Sequence, residues 1–194
     1  MKRDIILCGV GGQGILSIAT VIGYAAVESD LYLKQAEVHG MSQRGGDVQS
    51  HFRISDKEIF SDLIPFGGAD MIISVEPMES LRYLPYLSQN GWVITNDKPF
   101  NNIVNYPELE EIHAQIKKID NHILINADDI AKEIGSPRSM NMVMIGAAAK
   151  HLGIEFSSLI DGIKFIFGKK GEEMVNLNIK ALEAGKAFAE KFSK

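Results

Sequence analysis

Cysteine is nearly absent from this sequence. Cys8 is the only one, so neither a disulfide framework nor an iron–sulfur cluster, which needs four thiolates, can be built from the chain. Long hydrophobic runs are also missing. The longest, Met142 to Ala149, has eight residues, against the roughly 18 that read as a membrane span. Behind Lys2 and Arg3 the apolar stretch stops within a few residues at a glycine cluster, too short for the apolar core of a signal peptide. Basic residues are not in excess: 20 Lys and Arg against 25 Asp and Glu give a net charge of −5. Nucleic acid and membrane are therefore not expected as partners, because affinity for either rests mainly on neutralising phosphate. The five histidines, at 39, 51, 113, 122 and 151, show no metal-ligand spacing. A cytoplasmic protein is expected.

The composition, 45% hydrophobic and 23% charged over 194 residues, suits one domain spanning 1–194 with a real core. The run 4–10 reads as a strand, followed by glycines and an apolar segment of helical length from Ile15 to about Ser29, then a second strand from Tyr32 to Val38. Val48, Ser50, Phe52 and Ile54 alternate with polar residues, and Ser55-Asp56 can turn the chain into Lys57 to Ser61, which predicts an inserted antiparallel hairpin. Met71 to Val75, Trp92 to Thr95 and His122 to Asn126 read as further strands. Pro77 suits the first turn of a helix reaching Leu87, and Pro107 to Lys118 reads as another. Beyond Asp128 the pattern is helical: 128–135, about 140–152, 156–167 and 172–192. The fold class is α/β, a Rossmann-like, mostly parallel sheet with an inserted antiparallel hairpin and a helical C-terminal region.

Two segments carry chemistry. Gly9-Val10-Gly11-Gly12-Gln13-Gly14 satisfies G-x-G-x-x-G between a strand and a helix, the context in which backbone amides can meet a phosphate. Glu37, 23 residues beyond Gly14, falls near the end of the second strand, where an acid bonds ribose in dinucleotide-binding folds. Close strand-to-helix packing explains the glycines equally well. The second segment is Glu37-Val38-His39-Gly40-Met41-Ser42-Gln43-Arg44-Gly45-Gly46. Its glycines let backbone approach another surface while His39, Ser42, Gln43 and Arg44 supply polar groups. The alternative is a solvated loop with internal bonds. Glu76 and Asn141 read as helix caps.

These blocks, together with Ser50-His51-Phe52-Arg53, Gly68-Ala69-Asp70, Ser74-Val75-Glu76-Pro77, Leu81-Arg82-Tyr83, Tyr106-Pro107, Asn141 to Gly146 and Ala187-Phe188, resemble the small subunit of the 2-oxoacid:ferredoxin oxidoreductases. The 37–46 block resembles the indolepyruvate branch of that family. The resemblance covers essentially the whole chain. It implies a large (alpha) subunit that holds thiamine diphosphate and iron–sulfur clusters, decarboxylates an indolepyruvate or other 2-oxoacid, reduces ferredoxin and delivers the acyl group to coenzyme A. It also implies that this chain binds no cofactor tightly and is inactive alone, and that its 37–46 loop meets the active site or the coenzyme A approach. The isolated chain is a candidate homodimer. The rival readings are a stand-alone dinucleotide-binding oxidoreductase and a non-catalytic assembly subunit.

Overall fold

The computed structural model describes residues 1–39, 45–101 and 103–192, with the His39 side chain outside the description. Six strands, β1 (Lys2–Val10), β2 (Tyr32–His39), β3 (Asp47–Ser55), β4 (Ala69–Ser74), β5 (Leu87–Asn96) and β6 (His122–Ile125), form one sheet in the order β2-β3-β1-β4-β5-β6. β1, β4, β5 and β6 are parallel neighbours, whereas β3 runs antiparallel to both β1 and β2.

The alternation of β1 explains the two faces. Ile5 and Leu7 point to one side and join Phe52, Ile54, Met71, Ile73, Ile94 and Ile123 under the helices α1 (Ile15–Glu28), α5 (Met140–Leu152), α6 (Phe156–Phe167) and α7 (Glu172–Ala189). Ile6 and Cys8 point the other way, into a smaller cluster with Ile64, Ile72, Tyr83 and Val93. That face is covered by α2 (Pro77–Arg82) and by the segment 57–66. The shorter helices α3 (Leu109–Ile116) and α4 (Ala127–Glu133) complete the chain.

In the helical layer α5 and α7 touch backbone to backbone. A Cβ on Gly146 would run into the Leu182 carbonyl, and one on Gly185 into the Val143 carbonyl. Beside the C-terminal ends of α5 and α7 lies a cavity of about 850 Å3 whose walls include Trp92, Phe156 and Phe192. Trp92 packs against His151 there, with ring centroids 4.1 Å apart and the ring planes tilted by 30°.

One expectation needs correction. The antiparallel hairpin is β2 with β3, not Val48–Ser55 with Lys57–Ser61; residues 57–61 make no strand. The backbone of that segment is held by side chains instead. Arg53, itself bonded through Nε and Nη2 to the buried Asp4 carboxylate at 2.7 and 2.9 Å, donates through Nη1 to the carbonyls of Ser61 and Leu63 at 2.9 Å each. The Ile64 N–H donates to His51 Nδ1 at 3.0 Å.

An imidazole that accepts at Nδ1 must be neutral, and burial followed by the Arg53 charge holds the His51 pKa below its ordinary value. The unfolded chain therefore binds more protons than the folded one as pH falls through about 6.5, so stability rises with pH in that range. This contribution is present above the unfolded pKa and is lost as pH falls through the folded one. Urea unfolding of His51→Gln between about pH 7 and 5 is expected to show a pH slope shallower than wild type by up to about 1.4 kcal/mol per pH unit. An unchanged slope would contradict the assignment. His151, depressed by burial and by Lys150 and Arg3, retains its own share in both proteins.

Candidate functional site

The glycine turn closes the carboxyl end of β1. Gly12 and Gly14 have φ of 101° and 82°, a region open to glycine and costly for other residues, and Gly14 is the N-cap of α1. The turn is knit by the Gln13 side chain. Its Oε1 accepts the Val10 N–H at 2.8 Å and its Nε2 donates to the Val75 carbonyl at 3.3 Å, joining the ends of β1 and β4. From the helical layer Asn141 Nδ2 donates to the Gly14 carbonyl at 3.1 Å. Asn141 thus bridges α5 to the start of α1; the N-cap position of α5 belongs to Ser139.

The two glycine segments meet through their backbones. Gly11 N–H donates to the Gly46 carbonyl at 2.8 Å, and Gly45 N–H to the Gly11 carbonyl at 3.4 Å. The stem of the 37–46 block is therefore an extension of the β1–β3 ladder. His39 ends β2 opposite Val48, while its side chain and residues 40–44, including Ser42, Gln43 and Arg44, lie outside the described residues. Glu37 is on the α1 side of β2, opposite Ser50, with Oε2 3.4 Å from Gln35 Nε2. β3 separates β2 from β1, so Glu37 stands roughly 9.5 Å, two strand spacings, from the strand that carries the glycine turn. A dinucleotide-binding acid sits on the strand next to that one.

Sequence reasoning missed the polar groups around this edge, because they gather only through the sheet. Asp47, the first residue of β3, accepts from the Tyr83 hydroxyl at 3.2 Å. Burial and the neighbouring Asp47 push the Tyr83 pKa up, so the hydroxyl stays protonated. Glu79, buried on α2, is raised by burial, in part offset by Arg82, whose Nε lies 2.8 Å away. Cys8 sits beneath them with its thiol pushed up by burial, an inert group rather than a nucleophile or ligand. Glu76 is fully buried. It caps α2 by accepting the Glu79 N–H at 2.8 Å and also accepts from Phe100 N–H at 3.3 Å and from the Tyr106 hydroxyl. Next along the edge, Asn96 Oδ1 accepts the Ala127 N–H at 3.1 Å and its Nδ2 donates to Asp128 at 2.8 Å.

This carboxyl edge is where open α/β sheets hold ligands, whereas the 850 Å3 cavity is by Trp92 in the middle of β5 and the amino end of β6. Among the described residues no group of three His, Cys, Asp or Glu side chains is placed to hold a metal ion. Nor is any described helix long and apolar enough to cross a membrane.

The chain belongs to the pyruvate ferredoxin/flavodoxin oxidoreductase family, whose model matches residues 4–188. Within it, this is a small-subunit member of the 2-oxoacid:ferredoxin oxidoreductases, of the kind represented by indolepyruvate oxidoreductase subunit IorB. It is 38% identical to IorB of Archaeoglobus fulgidus over 196 residues, which cover 95% of this chain and 94% of the relative. The corresponding values for IorB of Methanothermobacter thermautotrophicus are 37% over 194 residues, 95% and 96%. Among solved structures, the 2-oxoglutarate:ferredoxin oxidoreductase of Magnetococcus marinus, with 2-oxoglutarate, coenzyme A and succinyl-CoA bound, matches with a TM-score of 0.78 at 23% identity. The match takes in all of this chain but only 32% of that one. In that enzyme the same fold is one part of a longer polypeptide.

Proposed function

We propose that this chain joins a large subunit to form an indolepyruvate (or other arylpyruvate):ferredoxin oxidoreductase, and that its 37–46 block completes the composite active site or the coenzyme A approach. The observation that carries the reading is the backbone pairing of Gly11 with Gly45 and Gly46. It holds Gly45 and Gly46, the end of a segment that contains His39, Ser42, Gln43 and Arg44, beside the glycine turn. Arg44 is the first choice to bind the 2-oxoacid carboxylate or a coenzyme A phosphate through its bidentate fork. His39 orients a substrate group or moves a proton at a ring nitrogen. Ser42 and Gln43 serve as neutral hydrogen-bonding groups. Gly9, Gly11, Gly12, Gln13 and Gly14 form the turn that receives a phosphate or the partner's surface, and Glu37, two strands away, lies on the same sheet beside it.

Thiamine diphosphate and iron–sulfur clusters belong to the large subunit in this reading, and ferredoxin is reached through the complex. One cysteine, buried and with a raised pKa, does not fit a cluster. No step therefore runs through a redox centre of this chain.

The test is co-expression with the large subunit and indolepyruvate-dependent, coenzyme A-dependent reduction of a viologen dye, omitting each subunit in turn. Activity is expected only with both. Arg44→Ala in the assembled complex is expected to lower kcat/KM by about two orders of magnitude. Unchanged kinetics with intact assembly would remove Arg44 from the site. Turnover by this chain alone with a dinucleotide would replace the reading altogether.

A further inference from the structure

α5 and α7 are pressed together at Gly146 and Gly185, and towards their C-terminal ends the residues between them turn small without touching: Ala147 and Ala149 on one helix and Ala189 on the other line the 850 Å3 cavity. That volume lies within the roughly 300–1,000 Å3 of small-molecule sites. The wall is rich in rings, with Trp92, His151, Phe156 and Phe192 all lining it. A flat apolar group entering it meets aromatic surface rather than aliphatic core.

Two polar groups in the wall have no hydrogen-bonding or ionic partner among the described residues. His151, half-buried and packed on Trp92, makes no hydrogen bond through its ring nitrogens, and neither nitrogen is sealed from solvent. Burial, Lys150 and Arg3 hold its pKa below the ordinary value, so the imidazole is neutral near pH 7 and offers one donor and one acceptor. Lys186 is the second. Its ammonium stands 4.4 Å from the centroid of the Phe156 ring, a cation–π contact that places the charge without neutralising it. No described carboxylate lies within 4 Å of it.

Exposed charges of both signs line the cavity, Lys150, Lys186 and Lys191 against Asp120, Glu155 and Glu190. Around the half-buried His151 the balance is one-sided. The charges acting on its ring are those of Lys150 and Arg3, both positive, and Arg3 Nε is fixed on the His151 carbonyl at 2.8 Å. An anionic group is favoured there, next to surfaces that favour a ring.

We infer that the cavity is a binding site for an aromatic carboxylate, its ring packed on Trp92, His151 and Phe156 and its carboxylate paired with the Lys186 ammonium. The site needs only this chain and does not rest on the two-subunit reading.

3-Phenylpropionate is the probe, titrated into the full chain by isothermal calorimetry and by Trp92 emission excited at the red edge of the tryptophan band, where the probe does not absorb. A Kd of about 0.1 mM is expected, with a change in the emission. 3-Phenylpropionamide lacks the charge and hexanoate lacks the ring, and each is expected to bind at least about tenfold more weakly. Lys186→Gln, on an exposed side chain, and Ala189→Phe, which fills the cavity, are each expected to weaken phenylpropionate binding by about tenfold or more, with melting temperatures near that of wild type. Arg44→Ala, in the candidate site, is expected to bind the probe as wild type does. Equal affinity for the amide or for hexanoate, wild-type affinity in either cavity variant, or no binding at millimolar concentration would each overturn the inference. Loss of binding in Arg44→Ala would put the probe at the glycine-turn edge and overturn it as well. The two-subunit assay is untouched by any of these outcomes, so the failure of one reading is distinguishable from failure of the other.

Discussion

Replacing Gly146 by valine is expected to lower stability by about 3 kcal/mol or more and the melting temperature by ~10 °C. The cause is steric and cannot be relieved by a rotamer change. A Cβ at this position meets the Leu182 carbonyl and lies 2.9 Å from the Lys186 nitrogen, both backbone atoms of α7. The reciprocal contact, Gly185 against Val143 and Ala147 N, makes the two helices a locked pair. Separation would have to move α5 as a body. Because α5 also carries Asn141, whose amide holds the Gly14 carbonyl, the damage is expected to reach the glycine turn as well as the core. Thermal unfolding followed by far-ultraviolet circular dichroism reads the effect, and a shift of only a degree or two would show that the crossing is more forgiving than its geometry.

Removal of the Glu76 side chain is expected to be comparably severe, at roughly 4 kcal/mol. Among the described residues three donors converge on this buried carboxyl group: the amides of Glu79 and Phe100 and the Tyr106 hydroxyl. The Tyr106 pKa is pushed up by burial and by Glu76, so that hydroxyl keeps its proton and needs an acceptor. Glu76→Ala leaves all three donors without that acceptor in a fully buried position. Glu76→Gln restores one acceptor oxygen but presents an amide N–H₂ to the others, so an intermediate loss is expected. Equal melting temperatures for the alanine and glutamine variants would contradict the three-donor account. The residue stabilises more than α2: it ties the stretch from Phe100 to Tyr106 to the end of β4, beside the candidate site.

Much of this architecture was legible because local signals agreed with the final packing. Helices at 140–152 and 156–167 were expected and occur over those ranges, since Gly153 in a left-handed conformation ends the first and the apolar repeat of the second faces the core. The glycine turn was legible for the same reason: its conformation is imposed by the chain itself. The hairpin was not. Alternation at Val48 to Ile54 identifies a strand but is silent about which strand it pairs with. β3 pairs along one edge with β1 and along the other with Tyr32 to His39, so no edge of it is left for Lys57 to Ser61. β5 begins at Leu87, earlier than its apolar stretch, because Ser88, Gln89 and Asn90 extend it at the edge of the core, where its register with β4 shifts between Ala69 and Met71.

At the site, the segment from Glu37 to Gly46 and the turn from Gly9 to Gly14 were visible as separate motifs, and their pairing was not. A bond between two backbones leaves no residue signature beyond glycine. Asn141 shows the same limit. Its position at a helix start pointed to a cap, whereas its partner is 127 residues away in sequence. Glu76 did read correctly as a cap, because its partner is three residues on.

The packing of Trp92 against His151 has a practical bearing on spectroscopy. Trp92 is the chain's single tryptophan, so intrinsic tryptophan emission comes from one place, the cavity between β5, the amino end of β6 and the C-terminal ends of α5 and α7. It is a faithful optical gauge of whether the helical layer is seated. For a small ligand bound at the other edge of the sheet it is a distant lamp, and titrations there are better followed by calorimetry or by a fluorophore attached near the glycine turn.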